Sequence, residues 1–279
     1  MEQLPRLKAR LSSLHDLRDL IRALRALAAS HLQDALAALD GVRAYVEVVE
    51  DAIAAGASLI PERAALAQDQ ADHDGVTIVV CSEHGFVGDF NERLLDAATG
   101  AVGPGGRLVV VGRRGATQAL ERETAVAEDF PMATRVGGIL GISRRVAARL
   151  ATAGRARIVY GSHRRGGGAA EVVSKRILPL DPALLTRTTQ AGPPLHHLSA
   201  EALLEHLANE YLFAEIASAV MESLASENGA RLKVMEAADG NIADKLSLLQ
   251  RQVQTLRQEE ITTELLDVVI GSEAILQAG

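Results

Sequence analysis

Tryptophan is absent from the 279-residue chain and aromatic residues make up only 3% of it. Such scarcity argues against single-stranded nucleic-acid binding, which needs aromatic faces on which bases stack. Positive charge is also in deficit: 29 Lys and Arg face 36 Asp and Glu, a formal net charge of -7, which argues against a phosphate-backbone partner. One cysteine, Cys81, excludes an intramolecular disulfide and any paired-cysteine zinc site, and it fits a reducing compartment. No run approaches the roughly 18 apolar residues a membrane-spanning helix needs. The start, MEQLPRLKARLSSL, lacks the unbroken apolar core of a signal peptide, so membrane association is expected only through another protein.

What the chain has is aliphatic residues, with hydrophobics at 48%, many of them Leu and Ala, the composition of helix-on-helix packing. The spacing predicts one long helix from about Leu4 to Ile53. Its apolar positions fall at Leu4, Leu7, Leu11 and Leu14, then at Leu17, Ile21, Leu24 and Ala28, a coiled-coil seam with one change of winding. Gly41 is the interior breaker, and the pattern fades through Gly56 and Pro61. A second helical region runs from Ser199 to about Leu276, with Ser199 as N-cap and Glu201 at the positive end of the dipole. Its seam is Ile242, Leu246, Leu249, Val253 and Leu256, resuming out of phase at Ile261, Leu265 and Val268. If unbroken, its roughly 75 residues make a rod of about 110 Å, and Gly229 and Gly240 are the expected bends.

The middle changes period. VTIVVC (Val76–Cys81), RLVVVG (Arg107–Gly112) and RARIVY (Arg155–Tyr160) are short β-branched runs of the kind buried on both sheet faces. Helix-like stretches follow them at Asn91–Ala98, Ala116–Glu123 and Ile142–Ala151, and EVVSKRILPL (Glu171–Leu180) reads as a further strand ended by Pro179. The expected organisation is therefore an N-terminal coiled-coil helix (1–60), a small Rossmann-like α/β domain with a partly parallel sheet (74–180) and a C-terminal coiled-coil helix (199–279). The two terminal helices should pair antiparallel into a shaft, with the α/β insert beside its base. That arrangement transmits force or position and forms no substrate pocket.

Several motifs bear on chemistry. GPGGR (Gly103–Arg107) and GFVGDF (Gly85–Phe90) are glycine-rich but match no phosphate-loop signature, so GFVGDF reads as a tight strand-to-helix turn, with a ligand site as the alternative. His196, His197 and His206 lack metal-ligand spacing and read as solvated. Ser162-His163 lies in a glycine-rich stretch without the strained elbow of a nucleophilic serine. The arginine pairs 113/114, 144/145 and 164/165 read as solvated faces able to meet an acidic partner, and Cys81 as a small buried hydrophobe. No catalytic, metal or cofactor-binding residue is expected.

Taken together the motifs resemble the gamma subunit of rotary F-type ATP synthases over nearly the whole length. SENGARLKVMEAADGN (Ser226–Asn241) is similar to the family's S-E-x-A-A-R-M-x-A-M-x-x-A-T-x-N, and RQEEITTEL (Arg257–Leu265) to its R-Q-x-x-I-T-x-E-[IL]. KARLSSL (Lys8–Leu14) resembles R-x-R-I-x-S-V, ALAAS (Ala26–Ser30) resembles M-V-A-A-S, and CSEHGFVGDFN (Cys81–Asn91) resembles T-S-D-R-G-L-C-G-x-F-N; RIVY and ILPL match as well. The resemblance implies a non-catalytic rotor shaft turning inside a hexamer of alpha and beta subunits. Its foot would lie near an epsilon-type subunit and the membrane c-ring, on the cytoplasmic face of a bacterial inner membrane. It further implies partner-binding roles for Arg257, Gln258, Thr262 and Glu264, for Lys8 and Arg10, for Arg231, and for Glu210 and Tyr211 (with Asn209) at the foot. Arg257 and Gln258 match the pair that grips the catch loop of a catalytic subunit, a task suited to a planar guanidinium.

Departures from the family pattern are specific. Two positions usually lysine are Asp19 and His31, the usual methionine is Leu24, and the G-L-C-G-G turn is Gly85-Phe86-Val87-Gly88-Asp89. Less positive charge along the shaft should weaken attraction to acidic loops of a hexamer. The departures suggest a divergent branch, for which the alternative bacterial, sodium-type form is one candidate. Two other readings stand beside the shaft: a small-ligand-binding α/β protein with a helical dimerisation arm, and a shaft-like scaffold acting outside the synthase.

Overall fold

The computed structural model describes residues 3–60, 75–150, 153–163, 170–187 and 195–277. Chain order is α1 (Gln3–Ala57), β1 (Gly75–Val80), α2 (Phe90–Ala101), β2 (Arg107–Val111), α3 (Arg113–Glu121), β3 (Glu128–Phe130), a 3-10 turn, α4 (Ile139–Leu150), β4 (Arg155–Ser162), β5 (Glu171–Leu178), α5 (Pro182–Thr186) and α6 (Ala200–Gln277). The chain divides into two compact units, Met1–Leu27 with Lys233–Gly279, and Ala28–Leu232.

The first unit is an antiparallel helix pair. Ile21, Met235, Ile242 and Leu246 form its buried seam, with Leu11, Leu14, Leu24, Val234 and Ala238 packed against them. Arg18 Nε stands 2.8 Å from Asp239 Oδ1, and Gln3 and Leu7 share a cleft with Gln252, Thr255 and Leu256, which fixes the antiparallel sense. The expected seam needs two corrections. Leu17 is 43% exposed, because the step from Leu14 to Ile21 carries Arg18, not Leu17, to the inner flank, where it meets Asp239. Beyond Leu256, Ile261, Leu265 and Val268 are 48%, 61% and 69% exposed, and none of them belongs to the buried cluster that joins α1 and α6.

In the second unit a five-stranded sheet runs in the order β3-β2-β1-β4-β5. β1 to β4 are parallel, and β5 closes one edge antiparallel to β4. The β-branched runs alternate between two cores, as a period of two dictates. Ile78, Val80, Val109, Val111 and Ile158 face α4 (Ile139, Ile142, Val146), Ala35 and Leu39 of α1, and the Leu212–Ala225 stretch of α6. Val79, Leu108, Val110 and Val159 face α2 through Phe90, Leu94, Leu95 and Ala98. A third cluster joins Val49, Ile53 and Ala57 of α1 to Leu204, Tyr211 and Ala214 of α6 and Leu185 of α5. The short strand β3, with its acidic sequence Glu-Asp-Phe, had no apolar run to announce it.

The expected strand, helix and cap positions hold within a few residues. Ser199 accepts the Ala202 N–H at 3.2 Å and so caps α6. α6 itself runs through Gly229 and Gly240 without a break, because a single glycine costs only about 1 kcal/mol against packing along the whole helix. Gly229 instead gives room to a neighbour: a Cβ there would lie 3.3 Å from the His163 ring.

Gly115 is a stronger case of close approach. A Cβ at this position of α3 would fall 2.1 Å from the Cys81 Cβ and 2.7 Å from its sulfur. Gly115→Ala should therefore lower stability by roughly 2–3 kcal/mol, since backbone must shift to relieve the overlap. Thermal melting checks this, and Gly137→Ala, where a Cβ would meet nothing within 4 Å, is the matched control.

Candidate partner-binding surface

α6 supplies the groups that fix the α/β domain to the helices. Glu215, Glu222, Ser223, Ser226, Glu227 and Asn228 are all buried polar residues of this helix. Ser223 Oγ donates to the Val80 carbonyl at 2.7 Å and Ser226 Oγ to the Gly161 carbonyl at 2.9 Å, bonding α6 directly to β1 and β4. Each carboxylate has its own cation or donors. Glu215 takes Lys175 Nζ at 2.6 Å, while Glu222 accepts from Arg43, from Ser162 Oγ at 3.1 Å and from the His163 N–H at 3.3 Å. The nearby Tyr160 phenol is pushed up to about 12, chiefly by burial and then by the Glu222 charge.

Arg231 and Glu227 make a clamp. Arg231 Nη2 bonds Glu227 at 2.6 Å, and the same guanidinium donates to the carbonyls of Gly85 at 3.2 Å and His84 at 3.3 Å and to Asn228 Oδ1 at 3.2 Å. Glu227 is held above the ordinary carboxyl range by burial, an effect that Arg231 partly offsets. The clamped segment is the Gly85–Phe90 turn. Phe86 and Gly88 have positive φ, 62° and 61°, and Asn91 ties the turn off by donating to Ser82 Oγ at 2.8 Å and accepting the Ser82 N–H at 2.9 Å. The His84 and Gly85 carbonyls and the Ser82–Asn91 pair thus bond within the chain. Cys81 is fully buried at its start, and burial raises its thiol pKa.

The residues singled out for partner contact fall into two groups. Arg257, Gln258, Thr262 and Glu264 are exposed on the last third of α6, and Lys8 and Arg10 are exposed on α1. Thr262 Oγ1 donates back to the Gln258 carbonyl at 2.8 Å, while exposed Ile261, Leu265, Leu266 and Val268 flank the group. Arg231 and Tyr211 turn inward. Arg231 keeps 13% of its side chain exposed, and Tyr211 is 3% exposed, its phenol held protonated by burial and the Glu215 carboxylate. Glu210, beside it, is exposed and accepts the Tyr45 hydroxyl.

Sequence reasoning passed over the buried acids Glu215 and Glu222 and their partners Lys175 and Arg43. The available signal was spacing: 215, 222, 223, 226 and 227 recur with the helical period inside an otherwise apolar stretch. Among the arginine pairs, Arg144 stands over the Phe213 ring at 5.8 Å, and Arg113 lies 3.5 Å from Glu83.

By fold the chain is an α/β unit inserted, in sequence, between two long helices whose outer parts pair antiparallel. An ATP synthase family model matches residues 3–275. The ATP synthase gamma chain of Fuscovulum blasticum is 30% identical over 292 residues, covering 99% of this chain and all of that one. This chain belongs to the ATP synthase gamma-chain family. Among solved structures, a chain of the Euglena gracilis mitochondrial ATP synthase (OSCP/F1/c-ring, rotational state 3) shares the fold with TM-score 0.71 and 14% identity, covering 99% of this chain and 95% of that one. A chain of the rotor of the same enzyme, in rotational state 1, matches with TM-score 0.61 and 16% identity over 92% of this chain and 98% of that one.

Proposed function

We propose that this chain is the central rotor shaft of an F-type ATP synthase. It has no catalytic site of its own and couples ion flow through a membrane c-ring to ATP synthesis or hydrolysis in an alpha–beta hexamer. The observation that carries the reading is the end of α6, where Arg257, Gln258, Thr262 and Glu264 sit among the exposed aliphatic residues Ile261, Leu265, Leu266 and Val268. An exposed helix face that combines apolar residues with Arg257 and Glu264 suits a partner that surrounds it. Rotation would present different faces of the asymmetric pair to three catalytic sites in turn, shifting each between open and closed states through differential contacts.

Under this reading Glu210, with Tyr211 anchored behind it, contributes to the foot near an epsilon-type subunit and the c-ring. The described helices include none long and apolar enough to cross a membrane, so attachment to the cytoplasmic face of a bacterial inner membrane would run through the complex. Co-expression with the alpha and beta subunits of the same organism tests the proposal. The tagged chain should retain both subunits at a stoichiometry of three each, and a bead on its foot should rotate on ATP addition. A chain that binds neither subunit would refute it.

A further inference from the structure

At the edge of the sheet, Arg157 of β4 stands directly opposite Arg176 of β5, in a pairing that sets Cα atoms about 4.5–5.5 Å apart. Like charges so placed destabilise a sheet. A regular ladder would not have produced the pair. Continued from the Ala156–Leu178 partners, it would set Arg157 against Ile177, but a register shift between Ala156 and Arg157 skips that residue. Irregularities of this kind re-aim side chains. Arg176 alone would be ordinary, since a charge on an edge strand discourages pairing with another chain. Arg157 is not explained that way, because it lies half-buried on the inner strand β4. Its Nη1 donates to Ser174 Oγ at 3.1 Å. Among the described residues no carboxylate stands within 4.0 Å of either guanidinium.

Ser174 and Arg176 line a cleft of about 510 Å³ that also holds Glu50, Lys175, Asp181 and Arg187. Those charges have partners of their own. Lys175 meets Glu215 at 2.6 Å, Arg187 meets Asp51 at 2.7 Å and Glu50 at 4.0 Å, and Asp181 accepts the Ala183 N–H at 2.9 Å. The cleft as a whole is close to neutral, so its distinguishing feature is two adjacent guanidiniums with donors to spare. We infer that Arg157 and Arg176, with Ser174 beside them, form a binding site for a phosphate group. The guanidinium fork matches phosphate oxygens, and two forks side by side can share one doubly charged oxyanion. The bound anion turns repulsion across the ladder into attraction to a common centre. Ser174 Oγ accepts from Arg157 and so keeps its own O–H to donate. Glu50 and Asp181 in the same cleft favour a single phosphate group over a larger polyanion. The site belongs to the Ala28–Leu232 unit and stands whether or not the chain turns in a hexamer.

Thermal melting of the full-length chain at pH 7 tests the site, with inorganic phosphate at about 20 mM replacing chloride at constant ionic strength. A millimolar site should raise the Tm by about 4 °C. Arg176→Gln, at an exposed position, should melt at or above the wild-type temperature in chloride, because the repulsion is gone, and should gain less than about 1 °C from phosphate. Arg157→Lys keeps the charge without the fork and should show an intermediate gain. Arg145→Gln, an exposed arginine of α4, is the control and should keep the full gain. Glycerol phosphate identifies the source: a gain equal to that from inorganic phosphate supports the site with an esterified group as ligand, and a gain from inorganic phosphate alone supports it with the free ion. No gain in the wild-type chain overturns the site. So does a full gain in Arg176→Gln, or a gain lost equally in Arg145→Gln, since either marks a general salt effect.

Discussion

Arg231→Ala should destabilise the chain by about 3–5 kcal/mol at neutral pH, the range for removing one partner of a buried ion pair. The substitution leaves Glu227, 3% exposed, without its cation, and it frees the His84 and Gly85 carbonyls that the guanidinium now holds. The pH dependence carries a signature. Burial already raises the folded-state pKa of Glu227 above the ordinary carboxyl range, and Arg231 is the largest effect opposing that rise. Without Arg231 the folded pKa climbs further. A carboxyl whose pKa is higher folded than unfolded binds more protons in the native state, so stability falls as pH rises from the unfolded pKa through the folded one. The defect should therefore be largest at pH 7 and shrink toward pH 5. Glu227→Gln in the same background should recover much of the loss, because a neutral amide is far cheaper to bury than a lone carboxylate. Melting curves of both variants at the two pH values check this. A defect independent of pH would mean that the carbonyl contacts, and not the carboxylate, carry the effect.

Arg257→Ala has the opposite profile, a large loss of function with no loss of fold. Arg257 is exposed, so its removal should leave the stability, followed by thermal melting, within about 0.5 kcal/mol of wild type, as for surface sites generally. In the assembled complex a charge-assisted hydrogen bond to a partner is worth roughly 1.5–3 kcal/mol, which corresponds to a drop of about ten- to a hundredfold in the step that depends on it. Coupled ATP synthesis in membranes carrying the variant measures that step. Gln258→Ala should act in the same direction with a smaller effect, because a neutral amide forms weaker bonds. Unchanged synthesis and torque in Arg257→Ala would remove this residue from the proposed contact.

These two arginines were equally visible as residues of matched motifs, yet the fold gives them different tasks. Arg257 stays exposed on a face of α6 where Ile261 and Leu265 are exposed as well. Arg231 lies in the stretch of α6 that crosses the sheet, where its guanidinium reaches the Gly85 turn. Sequence distance to that turn is well over a hundred positions, and no local pattern encodes such a meeting.

The sequence by itself determined the elements and their order. Period 3.5 in the terminal regions and buried β-branched runs between them specify helices and strands through local propensity and burial, which depend on near neighbours. It likewise supplied the seam positions Ile242, Leu246 and Leu249, all of which are buried. Only the tertiary structure decided where that seam ends, that Asp239 answers three arginines of α1, and that Glu215 and Glu222 of α6 are inside, each with a partner from a distant segment. The physical reason is that a charged side chain is legible as surface until its counter-charge is known. Burial of a carboxylate becomes affordable only through long-range pairing, and pairing is a property of the packed chain.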